Sequence, residues 1–397
     1  MPSKVFFTSR RSTSHKESLP TKLAQLFDAA GFNQIIAPKD LVAIKMHFGE
    51  KGATAFISPV FVRQVVEKVR QYQGKPFLTD TNALYVGKRN NAAEHIETAL
   101  ANGFGYATVQ APIVIADGLK GRSYREIPVN LKHFASVKIA SEVLDADAFL
   151  ALSHVKGHIL MGFGGAIKNV GMGCGSRAGK QMMHSTIRPK VNPDKCRGCA
   201  SCRRWCPADC ISLVDRPEAM PGAKSHAEEA SSSGSAPKLS AKVAVIDSEK
   251  CLGCGECTIT CPEGAIKINW KTEAFAAQER MVEFAYGAIK DKLEAGKCGF
   301  INFLINIAPD CDCNTWSDTP VVPDLGILAS KDPVAIDQAS VDLINGATGI
   351  PGTALKQNLA PGQDKFADLH PESDYPAQIR YAESIGLGSR NYQLIEI

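Results

Sequence analysis

A cysteine run that occurs twice constrains this chain more than any other feature. Cys196, Cys199 and Cys202 stand two residues apart, Cys206 follows after three, and Pro207 comes next; Cys251, Cys254, Cys257, Cys261 and Pro262 repeat the arrangement. Two-residue gaps let a curled backbone aim three thiolates at one cluster, while Gly198, Gly253 and Gly255 permit positive φ and close amide approach to sulfide. Paired zinc ribbons would need two cysteine pairs per metal and leave the third cysteine and the Cys-Pro step of each run unexplained. These runs hold eight of the 13 cysteines in a chain of 397 residues. A chain of that length can stabilise itself without disulfides, so metal binding is the better reading.

The spacing is that of bacterial ferredoxins, and it implies two [4Fe–4S] clusters with crossed ligation, the fourth cysteine of each run serving the other cluster. Cluster one would take Cys196, Cys199, Cys202 and Cys261; cluster two would take Cys251, Cys254, Cys257 and Cys206. The surrounding segment repeats as well, since Lys195 and Cys196 match Lys250 and Cys251, and Ile211 and Leu213 match Ile266 and Ile268. Cys210 falls opposite Ala265 in this register, a place for a small packed thiol rather than a ninth ligand. Between the halves, residues 217–237 are rich in Ser, Ala, Gly and Glu with no apolar period, which predicts a flexible surface loop.

On both sides of this segment the grammar is α/β. Leu41–Met46 reads as a strand, after which Ser58 and Pro59 open a helix burying Val62, Val65, Val66 and Val69 at helical spacing. Residues 76–79, 112–116 and 148–152 read as buried strands, and 92–101 as a helix stopped by Gly103. Beyond the insert, a helix from Thr272 carries Phe275, Val282, Ala285, Ile289 and Leu293 on one face to Gly296. Phe300–Ile307 then reads as a strand, and Asp332 with Pro333 opens a helix reaching Gly346. The expected architecture is one discontinuous α/β domain, residues 1–186 and 272–397, with an inserted α+β ferredoxin-like module at 187–271.

Five segments resemble the uncharacterised DUF362 iron–sulfur proteins: Asp80, Thr81 and Asn82 with Leu84 and Tyr85; Ser153 to His158; Gly162 to Asn169; Cys311 to Cys313; and Asp332 to Asp337. That resemblance spans nearly the whole chain and implies an architecture without an established reaction. Gly164, Gly165 and Lys168, with His158 ten residues before the lysine and His184 sixteen after it, are similar to the nickel-pincer lactate racemases. The likeness implies that Lys168 anchors a cofactor beside Gly164 and Gly165, that His184 ligates its metal and that His158 is a catalytic base. Those racemases lack a ferredoxin insert.

Read without any family, residues 162–175 contain six glycines around Lys168, a composition suited to exposing backbone amides to a ligand or to making a tight turn. It matches neither a Walker loop nor a dinucleotide fingerprint. His154 and His158 follow a strand and form a candidate proton-transfer or metal set with His184. Cys311 and Cys313 would face one side of an extended chain, with Asp310 and Asp312 on the other. Joined by Cys174 or a histidine they could hold a third metal; alone they read as packed thiols. Asp80 and Asn82 close a strand where ligands of α/β sheets tend to sit.

A net charge of +4 with no basic stripe interleaved with aromatics excludes a nucleic-acid partner. Arg10 and Arg11 precede a polar run rather than an apolar one, and no apolar segment is long enough for a membrane span, so a cytoplasmic protein is expected. Its partners would be a redox protein or a small-molecule substrate. Three function classes remain open: an oxidoreductase passing electrons from the clusters to an α/β-domain site, a plain electron carrier or docking protein, and an isomerase built on a further metal or organometallic cofactor.

Overall fold

A computed structural model describes residues 1–84, 87–184, 189–206, 208–216, 241–251, 256–267 and 274–397. Pro207, Gly253, Cys254, Gly255 and the expected loop at 217–237 lie outside the described residues. The chain divides into two compact units, one made of Met1–Ala83, Gly87–Met183 and Glu273–Ile397, the other of Leu84–Val86 and His184–Thr272.

Eight strands form the principal sheet of the first unit: β1 (Ser3–Ser9), β2 (Leu41–Lys45), β3 (Lys75–Asp80), β4 (Ile113–Ile115), β5 (Ala148–His154), β6 (Cys298–Leu304), β7 (Gly326–Ser330) and β8 (Tyr392–Glu396). Their spatial order is β8-β1-β7-β6-β5-β2-β3-β4. From β6 through β4 every pairing is parallel, whereas β7 runs against both β1 and β6. The fold is therefore mixed α/β with a large parallel sheet.

Side chains on successive residues of a strand point to opposite faces, and both faces of this sheet are covered. In β5, Phe149 and Ala151 enter one apolar cluster with the helices Ala166–Cys174, Ala274–Glu294 and Pro333–Gly346. Ala148, Leu150 and Leu152 enter a second with the helices Leu19–Ala29 and Pro59–Gln71. The helix at Pro59 buries Val62, Val65, Val66 and Val69 as their spacing predicts; each buried valine contributes about 1.5–3 kcal/mol of transfer free energy. The helices Ala92–Ala101 and Pro333–Gly346 also have the expected bounds, the latter capped by Asp332, whose carboxylate accepts from the amides of Val334 and Ala335 at 2.8 and 3.0 Å.

The glycine-rich segment departs from its reading as a loop. Gly162–Gly164 pairs with Lys156–His158 as a short antiparallel hairpin, and Ala166–Cys174 is a helix. Its glycines serve packing, since a Cβ at Gly171 would strike the Met281 carbonyl oxygen and one at Gly173 the Lys45 side chain. Close approach of helix to helix and helix to strand outweighs the low helix propensity of glycine here.

In the second unit, Ile211–Asp215 pairs antiparallel with Lys242–Ile246, and Lys190–Val191 with Ile266–Lys267. Short helices occupy Ser201–Arg204 and Glu256–Thr260, equivalent places in the two repeats. Asp209 and Gly264, also equivalent, both take positive φ, 47° and 55°. A small core of its own contains Cys196, Cys202, Cys210, Ile211, Val243, Cys251, Cys257 and Ile266.

Candidate functional site

The winding of the sheet makes a crevice. Strands β3 and β4 follow β2 to one side while β5 and β6 lie on its other side, so the order reverses between β2 and β5, and ligands of such sheets bind beyond the carboxyl ends of the strands at that point. Lys45, Asp80 and His154 end β2, β3 and β5 there. Lys45 is 1% exposed, with Nζ 3.0 Å from Asp80 Oδ1, and it donates to Asn169 Oδ1 at 2.8 Å. Asp80 also faces Arg89 and His95 at 3.7 and 3.8 Å, and Arg89 reaches Glu50 at 3.2 Å. Burial opposes ionisation of Asp80, but the Lys45 ammonium above all holds its carboxyl well below the usual carboxylate range. Burial first, with Arg89 adding to it, drives His95 far down against the pull of Asp80 and takes His47 to about 3, so both imidazoles are neutral.

A second buried charge group adjoins the cysteine pair. Asp312 Oδ1 lies 2.8 Å from His154 Nδ1, and its Oδ2 lies 3.1 Å from Lys156 Nζ. His154 Nε2 faces the carbonyls of Ile305 and Asn306 at 3.1 and 3.0 Å, so its ring is fully engaged as a structural clamp. Against the cost of burial, His154 and Lys156 keep Asp312 ionised. With Asp312 turned this way, Cys311 and Cys313 share the other side, although they lie in a turn rather than the extended segment the sequence suggested.

Ligand atoms of His158, Cys311 and Cys313 all lie within 4.8 Å of one another. Lys168 Nζ is 3.6 Å from Cys311 Sγ, and the Cys313 amide donates to that sulfur at 3.4 Å. The Cys313 thiol is hydrogen-bonded to Cys311 as well; that bond first, then the Lys168 charge and His158, outweigh burial and hold the Cys311 thiol well below its ordinary range. The same bond, with burial, pushes Cys313 well up. Within the pair Cys311 is thus the more acidic thiol and Cys313 the less acidic one.

Two thiols and an imidazole are a suitable donor set for a soft metal, but the orientation of His158 opposes it. Its Nδ1 accepts from the amides of Leu160 and Met161 at 3.2 and 3.0 Å, so the ring proton resides on Nε2, the nitrogen left for Cys311. A metal-bound imidazole normally carries its proton on the nitrogen away from the metal and donates it outward. Burial, and then Lys168, take His158 down to about 4, leaving a neutral N–H donor to a thiolate.

In the second unit, Cys196, Cys199, Cys202 and Cys261 line one recess together with Gly198, Ala244 and Ile266. The Ala244 amide donates to Cys196 Sγ at 3.5 Å and the Ala265 amide to Cys261 Sγ at 3.2 Å. Arg197 bridges to Glu263 at 2.9 Å, tying the first run to the second. Cys210 is buried as expected, its sulfur 3.4 Å from that of Cys206. These cysteine groupings are suited to metal.

Of the residues singled out from the sequence, His158, Lys168, Cys311 and Cys313 come together. His184 falls in the other unit, and Cys174 lies outside the group, buried with its thiol pushed to about 12 by its apolar surroundings. Gly164 brings its backbone against the Lys168 stem, where a Cβ would stand 3.0 Å from Cδ, and Gly165 makes room for the Asp337 carboxylate. Asn82 is bound by Asp117, whose oxygen accepts from its side chain at 2.8 Å. Missed in the sequence were Lys45, Glu50, Arg89 and Lys156. A lysine inside the apolar run at 41–46 was the one available signal, since an uncompensated ammonium cannot occupy a buried strand.

Fold and site thus define an α/β protein with a buried charged crevice at its strand ends and a separate cysteine-rich unit. The family described as Domain of unknown function (DUF362) matches residues 42–342, and the chain belongs to that family. No curated protein matches it. Among solved structures, the lactate racemase apoprotein from Thermoanaerobacterium thermosaccharolyticum is similar at a TM-score of 0.31 and 14% identity, over 45% of this chain and 40% of that one. The match thus spans less than half of that enzyme's length. No helix among the described residues is long and apolar enough to cross a membrane.

Proposed function

We propose that this protein is an iron–sulfur oxidoreductase in which two [4Fe–4S] clusters pass electrons to the crevice of the α/β domain. In this reading residues 187–271 are a ferredoxin-type module set into a discontinuous domain of residues 1–186 and 272–397. The observation that carries it is the recess shared by Cys196, Cys199, Cys202 and Cys261, three cysteines of one run with the last of the other. Crossed ligation of two cubanes requires that grouping, and a zinc ribbon does not. Backbone amides pointing at Cys196 and Cys261 favour anionic sulfur.

The test is iron and sulfide analysis with electron-spin spectroscopy on anaerobically purified protein. The expected result is about eight irons per chain, with coupled signals on reduction. Cys261→Ala should remove the first cluster and Cys206→Ala the second, and loss of each variant's own-run cluster instead would rule out crossing. Eight irons without any turnover or substrate would favour a plain carrier, and a stoichiometric further metal would favour the isomerase reading.

A further inference from the structure

Cys311 and Cys313 form a sulfur pair that the eight cluster cysteines do not account for. Four donors converge on Cys311: the Cys313 amide at 3.4 Å, the Cys313 thiol, the Lys168 ammonium at 3.6 Å and the His158 N–H. Such a shell stabilises negative sulfur, whether as an attacking thiolate or as the leaving group when a disulfide is reopened. It disfavours a cation, because Lys168 already supplies positive charge and His158 presents a proton where a metal would need a lone pair.

We propose that Cys311 and Cys313 are a redox-active dithiol that reduces a small organic disulfide. Cys311 is only 7% exposed, which excludes a disulfide held in a folded protein surface and restricts the proposed substrate to a slender small molecule. The Cys311 thiolate attacks one sulfur of R–S–S–R, giving a mixed disulfide and releasing one thiolate. Cys313 then loses its proton to solvent and attacks the Cys311 sulfur, closing the Cys311–Cys313 disulfide and releasing the second thiolate. Two electrons and one proton restore the Cys311 thiolate and the Cys313 thiol. Here the inference rests on the function proposed above, in which each reduced cluster supplies one electron. Disulfide exchange itself needs no cluster, so the two readings fail separately.

The experiment uses the full chain, purified anaerobically, with bis(2-hydroxyethyl) disulfide as probe, followed by thiol alkylation and peptide mass spectrometry. Expected is the loss of two alkylatable thiols, with the bond located by fragmentation between Cys311 and Cys313. Cys313→Ser should instead trap one mercaptoethanol adduct on Cys311, and Cys311→Ser should abolish both products. An adduct on Cys313 with Cys311 untouched, or no reaction at either sulfur, would overturn the proposal. So would zinc added alone that protects both thiols stoichiometrically while the disulfide probe leaves them unchanged. Loss of iron with exchange intact would count against the cluster reading only.

Discussion

Lys168 Nζ lies 3.6 Å from Cys311 Sγ although 143 residues separate them in sequence. The lysine projects from the helix Ala166–Cys174 and the cysteine from the turn after β6, and the hairpin that precedes the helix brings His158 to the same sulfur. This convergence is what makes Cys311 unlike the other buried thiols, whose surroundings push Cys174 and Cys298 up to about 12.

Lys168→Met is therefore expected to raise the Cys311 thiol pKa and to move its alkylation profile to higher pH. Lys168→Arg should restore most of the rate, because a charge rather than a particular shape is needed. Iodoacetamide labelling read peptide by peptide, between about pH 6 and pH 9, checks this through the shift of the profile. An unshifted profile in Lys168→Met would mean that the hydrogen bonds alone set the reactivity.

Asp337 joins two parts of the fold and carries a pH signature. Its carboxylate accepts from the amides of Ala166 and Ile167 at 2.6 and 2.9 Å and from the Asn302 side chain at 2.8 Å. Burial nevertheless raises its pKa from 3.8 to about 6. A carboxyl raised on folding contributes stability that is fully present below its unfolded pKa and is lost as pH rises through the folded one. Wild-type stability relative to Asp337→Asn should thus fall between about pH 4 and 6 and then level off. Asp337→Ala, which strands three donors, should cost about 2–4 kcal/mol below about pH 4, and the cost should shrink toward about pH 6 by the same linkage. Thermal unfolding across that range measures both.

The Lys45–Asp80 pair gives the opposite sign. With its pKa held down, Asp80 contributes stability above its unfolded value of 3.8 that is lost only as pH falls below it. At neutral pH, Asp80→Ala leaves Lys45 buried without its carboxylate and should cost about 3–5 kcal/mol. Denaturant midpoints for wild type and variant, with the slope unchanged, are the measurement.

Cys210→Ala places in the first repeat the residue that the second carries at Ala265. Despite the 3.4 Å approach of the Cys210 and Cys206 sulfurs, iron content and reduction behaviour should be unchanged. A lost cluster would make Cys210 a ligand.

Local pattern determined much of this protein: helix bounds at Ala92–Ala101 and Pro333–Gly346, the valine face after Pro59, and the α/β class all follow from short-range periodicity and capping. The cysteine spacing likewise identified a metal-suited segment, because consecutive ligands on one curled loop are a local property. The helical state of residues 166–174 was not legible, since glycine argues against a helix until a neighbouring helix and Lys45 need the space. Nor was the partition of the histidines: His154 is clamped by Asp312 while His158 meets Cys311, a distinction set by residues some 150 positions away. Sequence supplied the chemical inventory, and only the reversal of strand order between β2 and β5 decided which charges share a low-dielectric crevice. There the interaction strength depends on separation and burial, neither of which a linear spacing encodes.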